Sequence, residues 1–166
     1  NGELHGRKAL WDQDGNLLEE AHYEKGKLNG RYFERGRDGK EAVFYYKDNR
    51  KEGMHEVYFP PHEFFGKIKA FSVNYVNDLP DGEALEFNEA GNTVSSTLFV
   101  KGLKEGLAQV FNPKGNVVMK VFFRADKKHG PAVQYFPNGE IFKELHFVDD
   151  QKDGEEKTYY DNGTLA

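Results

Sequence analysis

The sequence predicts an all-β chain, a single-layer twisted antiparallel sheet built from about seven tandem β-hairpins. Three observations predict it. Gly6, Gly30, Gly53, Gly82, Gly106, Gly130 and Gly154 step by 24, 23, 29, 24, 24 and 24 residues. A second glycine series, Gly15, Gly39, Gly66, Gly91, Gly115, Gly139 and Gly163, trails the first by nine residues, except in the third repeat, where it trails by thirteen. Aromatic residues keep the half-period, at Trp11, Tyr23, Tyr46, Tyr58, Tyr75, Phe87, Phe99, Phe111, Phe123, Tyr135, Phe147 and Tyr159. Self-similarity at a fixed period marks a repeat array, in which neighbouring units bury a shared face.

Each half-period has room for one strand and one turn. Segments such as 117–123 are rich in β-branched and aromatic residues, too short for a helix, and bounded by glycine on both sides. The turns fall into two kinds. Asn112-Pro113-Lys114-Gly115, Phe136-Pro137-Asn138-Gly139 and Tyr160-Asp161-Asn162-Gly163 share one form. Proline presets φ at the second position and glycine supplies a positive φ at the fourth, as in a type I turn with a bulge. The other kind is read as a loop joining one hairpin to the next, for example 102–106. With one aromatic per strand and alternate residues facing the same way, the aromatic ladder is expected to line one face of the sheet.

Six copies of one pattern run between repeats: an aromatic residue, two others, Gly, Asp or Asn, three others, then Gly. They are Tyr23-Gly26-Gly30, Tyr46-Asn49-Gly53, Tyr75-Asp78-Gly82, Phe99-Gly102-Gly106, Phe123-Asp126-Gly130 and Phe147-Asp150-Gly154. The chain divides on this basis into repeats at approximately 1–24, 25–47, 48–76, 77–100, 101–124, 125–148 and 149–166.

This pattern, with its hairpin glycine and 24-residue period, resembles the MORN-repeat variant common in bacteria. The resemblance extends over essentially the whole chain. It implies a ribbon of hairpins acting as a binding surface, and it carries no catalytic motif. It implies a non-enzymatic protein-binding module, whose sharper form is a YwqK-type antitoxin or immunity protein that occludes a toxin. The alternative it implies is an exported or membrane-surface repeat scaffold, so both bacterial cytoplasm and envelope are open as locations. Because the sequence starts in one such loop and stops before its last strand finishes, the intact protein is expected to extend at both ends.

Composition narrows the chemistry. The 166 residues carry a net charge of -5, with acidic and basic side chains interspersed, so nucleic acid is not an expected partner. The same charge lends no support to anionic membranes, which attract basic clusters. There is no cysteine, which removes disulfides and thiolate chemistry. No apolar run approaches the ~20 residues of a helical membrane span. The serines, Ser72, Ser95 and Ser96, lie outside any nucleophile elbow. No phosphate-binding glycine loop precedes a helix. Asp12-Gln13-Asp14-Gly15-Asn16 has its glycine at position four, where a hairpin needs it and a calcium loop does not. The six histidines do not converge in sequence. No enzyme, cofactor or metal site is therefore expected.

Two departures from the repeat mark the candidate site. Arg35 stands where the strand aromatic belongs, and the third repeat inserts Pro60-Pro61-His62-Glu63-Phe64-Phe65 at its hairpin tip. Two adjacent phenylalanines on an enlarged loop are the kind of side chains that anchor protein partners. His62, Phe64, Phe65, Arg35 and Tyr58 are the expected partner-binding residues. Tyr159 and Tyr160 are expected on an edge strand able to pair with another chain.

Overall fold

The protein is described by a computed structural model covering residues 2–166. Every regular element among these residues is a strand, and the strands pair antiparallel. The chain divides into two compact units. The first runs to Gly82 and takes in Asn88–Gly91; the second holds Glu83–Phe87 and Asn92–Ala166. The first unit contains β1 (Gly6–Trp11), β2 (Leu17–Glu24), β3 (Lys27–Leu28), β4 (Gly30–Arg35), β5 (Glu41–Lys47), β6 (Arg50–Lys51), β7 (Gly53–Tyr58), β8 (Lys69–Val76) and β9 (Leu79–Pro80). β10 (Gly82–Phe87) falls almost wholly in the second unit. It is followed by β11 (Thr93–Val100), β12 (Leu103–Phe111), β13 (Val117–Arg124), β14 (Lys127–Tyr135), β15 (Ile141–Val148), β16 (Gln151–Lys152) and β17 (Lys157–Thr158).

The hairpin tips take the expected form. At Asn112–Asn116 the Gly115 N–H donates to the Asn112 carbonyl at 2.9 Å, and the Asn112 side chain accepts from the N–H groups of Lys114 and Asn116. Gly115 has φ 82°, and the register slips between Val110 and Phe111, which is the bulge. Asp12 caps its own tip in the same way.

The second kind of connection is not a loop. Val100 pairs with Leu103 across only Lys101 and Gly102, whose φ values are 49° and 88°. Two successive positive φ values define a type I′ turn, which matches the twist of the flanking strands. Residues read as loop, such as Leu103 and Gly106, therefore lie within β12, and a second bulge absorbs them where the register jumps between Thr97 and Phe99. Both connections are tight hairpins.

That geometry explains the Gly, Asp or Asn of the inter-repeat pattern. It is the second residue of the type I′ turn, with φ 68° at Asp126 and 70° at Asp150. Glycine would fit there at least cost. Asp and Asn add a bond to the preceding repeat. The Lys104 N–H donates to the Asp126 carboxylate at 2.7 Å while the Asp126 N–H donates to the Lys104 carbonyl at 3.1 Å. The same reciprocal pair joins Lys128 to Asp150, Leu28 to Asn49 and Lys51 to Asp78. Asp126→Gly should keep the turn and lose only the cap, costing about 1 kcal/mol. Asp126→Ala should lose cap and backbone fit together and cost about 2 kcal/mol. Urea denaturation of the two variants would separate these terms: equal losses would refute the backbone-fit contribution, and an Asp126→Gly variant as stable as the parent would refute the capping role.

Repeat length has an equally local cause. In the second unit, Phe111 pairs with Val117 and Val110 with Met119, so Val118 is the bulged residue. In the 23-residue repeat, Arg35 pairs with Glu41 and Glu34 with Ala42, with no slip. The missing residue is the bulge. In the long repeat, Tyr58 pairs with Lys69, so the extra length all sits between them at the tip.

The aromatic ladder does not line one face. Ala108 pairs with Val121, so the two share a face. Phe123 lies two residues beyond Val121 and stays on that face, whereas Phe111 lies three beyond Ala108 and turns to the other. The half-period contains an odd number of strand steps, which sends the two half-series of aromatics to opposite sides. The first unit buries Ala21, Phe33, Val43, Phe44 and Val73, and the second buries the small or branched side chains Ala84, Val121 and Ala132.

Candidate functional site

The two departures from the repeat meet in the first unit. Arg35, Glu41, Tyr58 and Lys69 form one row of cross-strand partners over β4, β5, β7 and β8. Glu41 is the centre of the row and only 2% exposed. Its carboxylate accepts from the Arg35 guanidinium at 2.7 Å and is paired with the Lys67 ammonium at 2.5 Å. Lys67 sits at the end of the inserted segment, so the ion triad fastens the insertion to the sheet. Burial pushes the Glu41 carboxyl up, but the hydrogen bonds and charges of Lys67 and Arg35 outweigh it and hold it below its ordinary value. Beside the triad the Tyr58 hydroxyl donates to Glu56 at 2.9 Å, and Lys69 closes on the same carboxylate. Burial, with this hydrogen bond to a carboxylate, pushes the Tyr58 phenol up to about 12.

The insertion is braced at every step. Phe59 N–H donates to the Ile68 carbonyl, and His62 and Gly66 exchange both backbone hydrogen bonds. Pro60 packs against Gly39 of the neighbouring hairpin tip, where an added Cβ would lie 3.3 Å from its ring. The His62 Nδ1 accepts from the Phe64 N–H at 3.2 Å, and the His62 ring lies 4.9 Å from that of Phe65. Phe64 and Phe65 are nevertheless 83% and 74% exposed, the most exposed aromatic side chains of the protein. An open cleft of about 450 Å³ lies beside them, walled by Phe59, Pro60, Pro61, Phe65 and Ile68 and bordered by Glu89.

The structure thus joins Arg35 and Tyr58 through Glu41 at the base of the insertion and places His62, Phe64 and Phe65 at its tip. Glu41 and Lys67 were not anticipated from sequence. The signal was present, because the position of Glu41 is aliphatic in the first, fifth and sixth repeats: Trp11 pairs with Leu17, Phe111 with Val117 and Tyr135 with Ile141. Arg35 and Glu41 replace an aromatic–aliphatic pair together.

The edge expected at Tyr159 and Tyr160 is filled differently. Tyr159 N–H donates to the Phe142 carbonyl on one side, and Tyr159 bridges Leu165 on the other. Its hydroxyl donates to Glu144 at 2.7 Å. The backbone at Tyr159 is therefore paired on both sides by the chain itself, while the Tyr160 side chain remains exposed against a cleft with Phe136 and Phe142.

His55 is a second irregularity. The equivalent positions in the next three repeats are Ala84, Ala108 and Ala132. The His55 ring stacks on Phe44 with centroids 4.0 Å apart and meets Phe71 and Tyr75 at its edges. Neither ring nitrogen has a hydrogen-bond partner in the protein. Burial, with the nearby Lys51 charge, pulls its pKa from 6.5 down to about 4. The folded chain then resists a proton that the unfolded chain accepts between these values. The stability linked to His55 is complete above pH 6.5 and is lost as the pH falls toward 4. The loss should reach about 2 kcal/mol, discounted because the ring is only half-buried. His55→Phe should flatten the stability profile between pH 6.5 and 4.5, and an unchanged slope would assign it to other groups. Among the described residues, no three His, Asp or Glu side chains gather as metal ligands.

Comparison with known proteins agrees with the repeat architecture. No curated protein matches the chain. Among solved structures, it is similar to S. aureus TarM at 11% identity and a TM-score of 0.23, over 90% of this chain and 21% of TarM. A mutant TarM in complex with fondaparinux, alpha-GlcNAc-glycerol and UDP gives 10% identity and a TM-score of 0.21, over 89% of this chain and 21% of that one. The chain spans about a fifth of the length of these structures, and a likeness at such TM-scores carries no argument. The family comparison is of another kind. The model of the MORN repeat variant matches residues 4–25, 128–149 and 152–166, each taking in a type I′ turn or a hairpin tip described above. These three segments are similar to the MORN repeat variant, the family whose pattern the repeats resemble.

Proposed function

We propose that this repeat module is a non-enzymatic protein-binding module and that the insertion of the third repeat is its binding site. The observation that carries the reading is the exposure of Phe64 and Phe65 on a loop that is hydrogen-bonded and ion-paired into place. Exposed apolar side chains on a braced loop cost little further ordering when a partner covers them. The interaction would be non-catalytic: the charges at the base of the loop, Arg35, Glu41 and Lys67, are engaged with one another in holding it. An antitoxin or immunity role, in which the loop covers a toxin surface, is the sharper form of this reading and rests on the family resemblance.

The test is capture from source-cell lysate with mass spectrometry, using the parent chain beside Phe64→Ser/Phe65→Ser. Both side chains face solvent, so the variant should match the parent's stability within about 0.5 kcal/mol. A protein captured by the parent and lost by the variant supports the module and its site. A toxin among such partners supports the sharper form. Equal capture by both moves the site away from the insertion. The exposed phenylalanine pair also suits a membrane-surface scaffold, since such rings insert at the lipid interface. Co-sedimentation of the parent with anionic vesicles, abolished in the variant, would favour that second reading.

A further inference from the structure

We infer that the cleft beside Phe65 takes an extended segment of a protein partner in which an apolar side chain lies next to an arginine or lysine. The inference rests on the insertion being the binding site, and it names the chemistry of the occupant. The cleft walls are apolar: Phe59, Pro60, Pro61, Phe65 and Ile68. At about 450 Å³ it falls within the volumes of ligand pockets and admits one large aliphatic or aromatic side chain with room for its backbone.

Two carboxylates accompany these walls. Glu89 borders the cleft, and Glu63 lies at the tip between His62 and Phe64. Both side chains belong to exposed residues, and neither is engaged in an ion pair. The cation nearest in sequence, Lys67, is held by Glu41. An apolar cleft with one unpaired carboxylate on its border, Glu89, and a second on the adjoining tip, Glu63, is complemented by a segment that brings its own positive charge, and it repels an acidic one. His62 adds a directional contact. Its Nδ1 accepts from the Phe64 N–H, so the neutral ring carries its proton on Nε2. That N–H is available to a backbone carbonyl of the segment. Apolar side chain, cation and carbonyl together describe a peptide segment rather than a lipid or a nucleotide.

The test is selection from a randomised 12-residue peptide library displayed on phage, against the full chain. Recovered peptides are then synthesised and titrated into the parent, Glu63→Gln/Glu89→Gln and Phe64→Ser/Phe65→Ser. All four positions are exposed, and thermal melts of the variants control for folding. The expected result is enrichment of peptides with Leu, Phe, Ile or Met within two positions of Arg or Lys. Their binding should weaken roughly tenfold in Glu63→Gln/Glu89→Gln and lose most of its salt dependence. Enrichment of neutral or acidic peptides, recovery of none, or unchanged affinity and salt dependence in the glutamine variant would each overturn the inference. The proposed function would survive those outcomes if Phe64→Ser/Phe65→Ser still abolished capture of a lysate partner. Peptides that bind Phe64→Ser/Phe65→Ser as tightly as the parent would overturn the insertion as the site, and this inference with it.

Discussion

Glu41→Val should cost about 3 kcal/mol, whereas Arg35→Phe/Glu41→Val should fall within about 1 kcal/mol of the parent. The single variant removes the acceptor that neutralises Arg35 and Lys67. The Arg35 side chain is only 27% exposed, so its charge would remain partly desolvated without a partner. Lys67 is half-exposed and can turn to water, which puts the cost at the low end for a broken buried pair. The double variant restores the aromatic–aliphatic pairing that the chain already uses at Phe111 with Val117 and Tyr135 with Ile141. The second repeat lacks the bulge of those repeats, so the restored pair must pack without it. Urea denaturation followed by fluorescence of Trp11, the one tryptophan and a member of the first unit, reads both variants. Additive losses, with the double variant worse than the single, would show that the slot cannot accept the repeat's usual pair. Loss of Glu41 should also release the insertion from the sheet, so the single variant should be cleaved by protease between Phe59 and Ile68 faster than the parent.

Phe33→Ala is expected to cost about 3 kcal/mol, measured in the same way. Phe33 is 3% exposed and sits between Glu20 and Val43 in the cross-strand register. Arg31 and Lys67 place their charges 5.5 Å and 5.8 Å from its ring centroid. Truncation therefore removes buried apolar area and strips the two cations of their aromatic surface. The estimate stays at the lower end for phenylalanine because neighbours on a sheet face can settle into the gap more freely than in an enclosed core. Phe33→Leu keeps most of the volume and should cost about 1 kcal/mol. If Phe33→Ala proved as mild as Phe33→Leu, the burial at this position would contribute far less than its exposure implies.

The hairpin count, the strand and turn alternation and the positions of both irregularities are legible in the sequence because each is local. Period-2 alternation, β-branched runs and glycine at positive φ act within a few residues, and repetition multiplies the signal. The short repeat and the long repeat are equally visible in the glycine steps of 23 and 29. What those steps mean is a matter of register. Only paired strands reveal that the shorter repeat has lost its bulge and that the longer one has grown at its tip alone.

Parity is the second thing that only the tertiary structure decided. A 12-residue spacing of aromatics looks like one ladder, but bulges and tight turns set how many alternations separate successive rings, and the two half-series emerge on opposite faces. The type I′ turns gave no loop of their own, because two positive φ values reverse the chain in two residues and return the rest to the strands. The site shows the same division. Its exposed residues, His62, Phe64 and Phe65, are contiguous and stand out as an insertion. Arg35, Glu41, Tyr58 and Lys67 are scattered over more than thirty positions. Cross-strand pairing brings Arg35, Glu41 and Tyr58 into one row, and electrostatics draws Lys67 to it, because a carboxylate buried to 2% exposure is stable only where two cations converge on it.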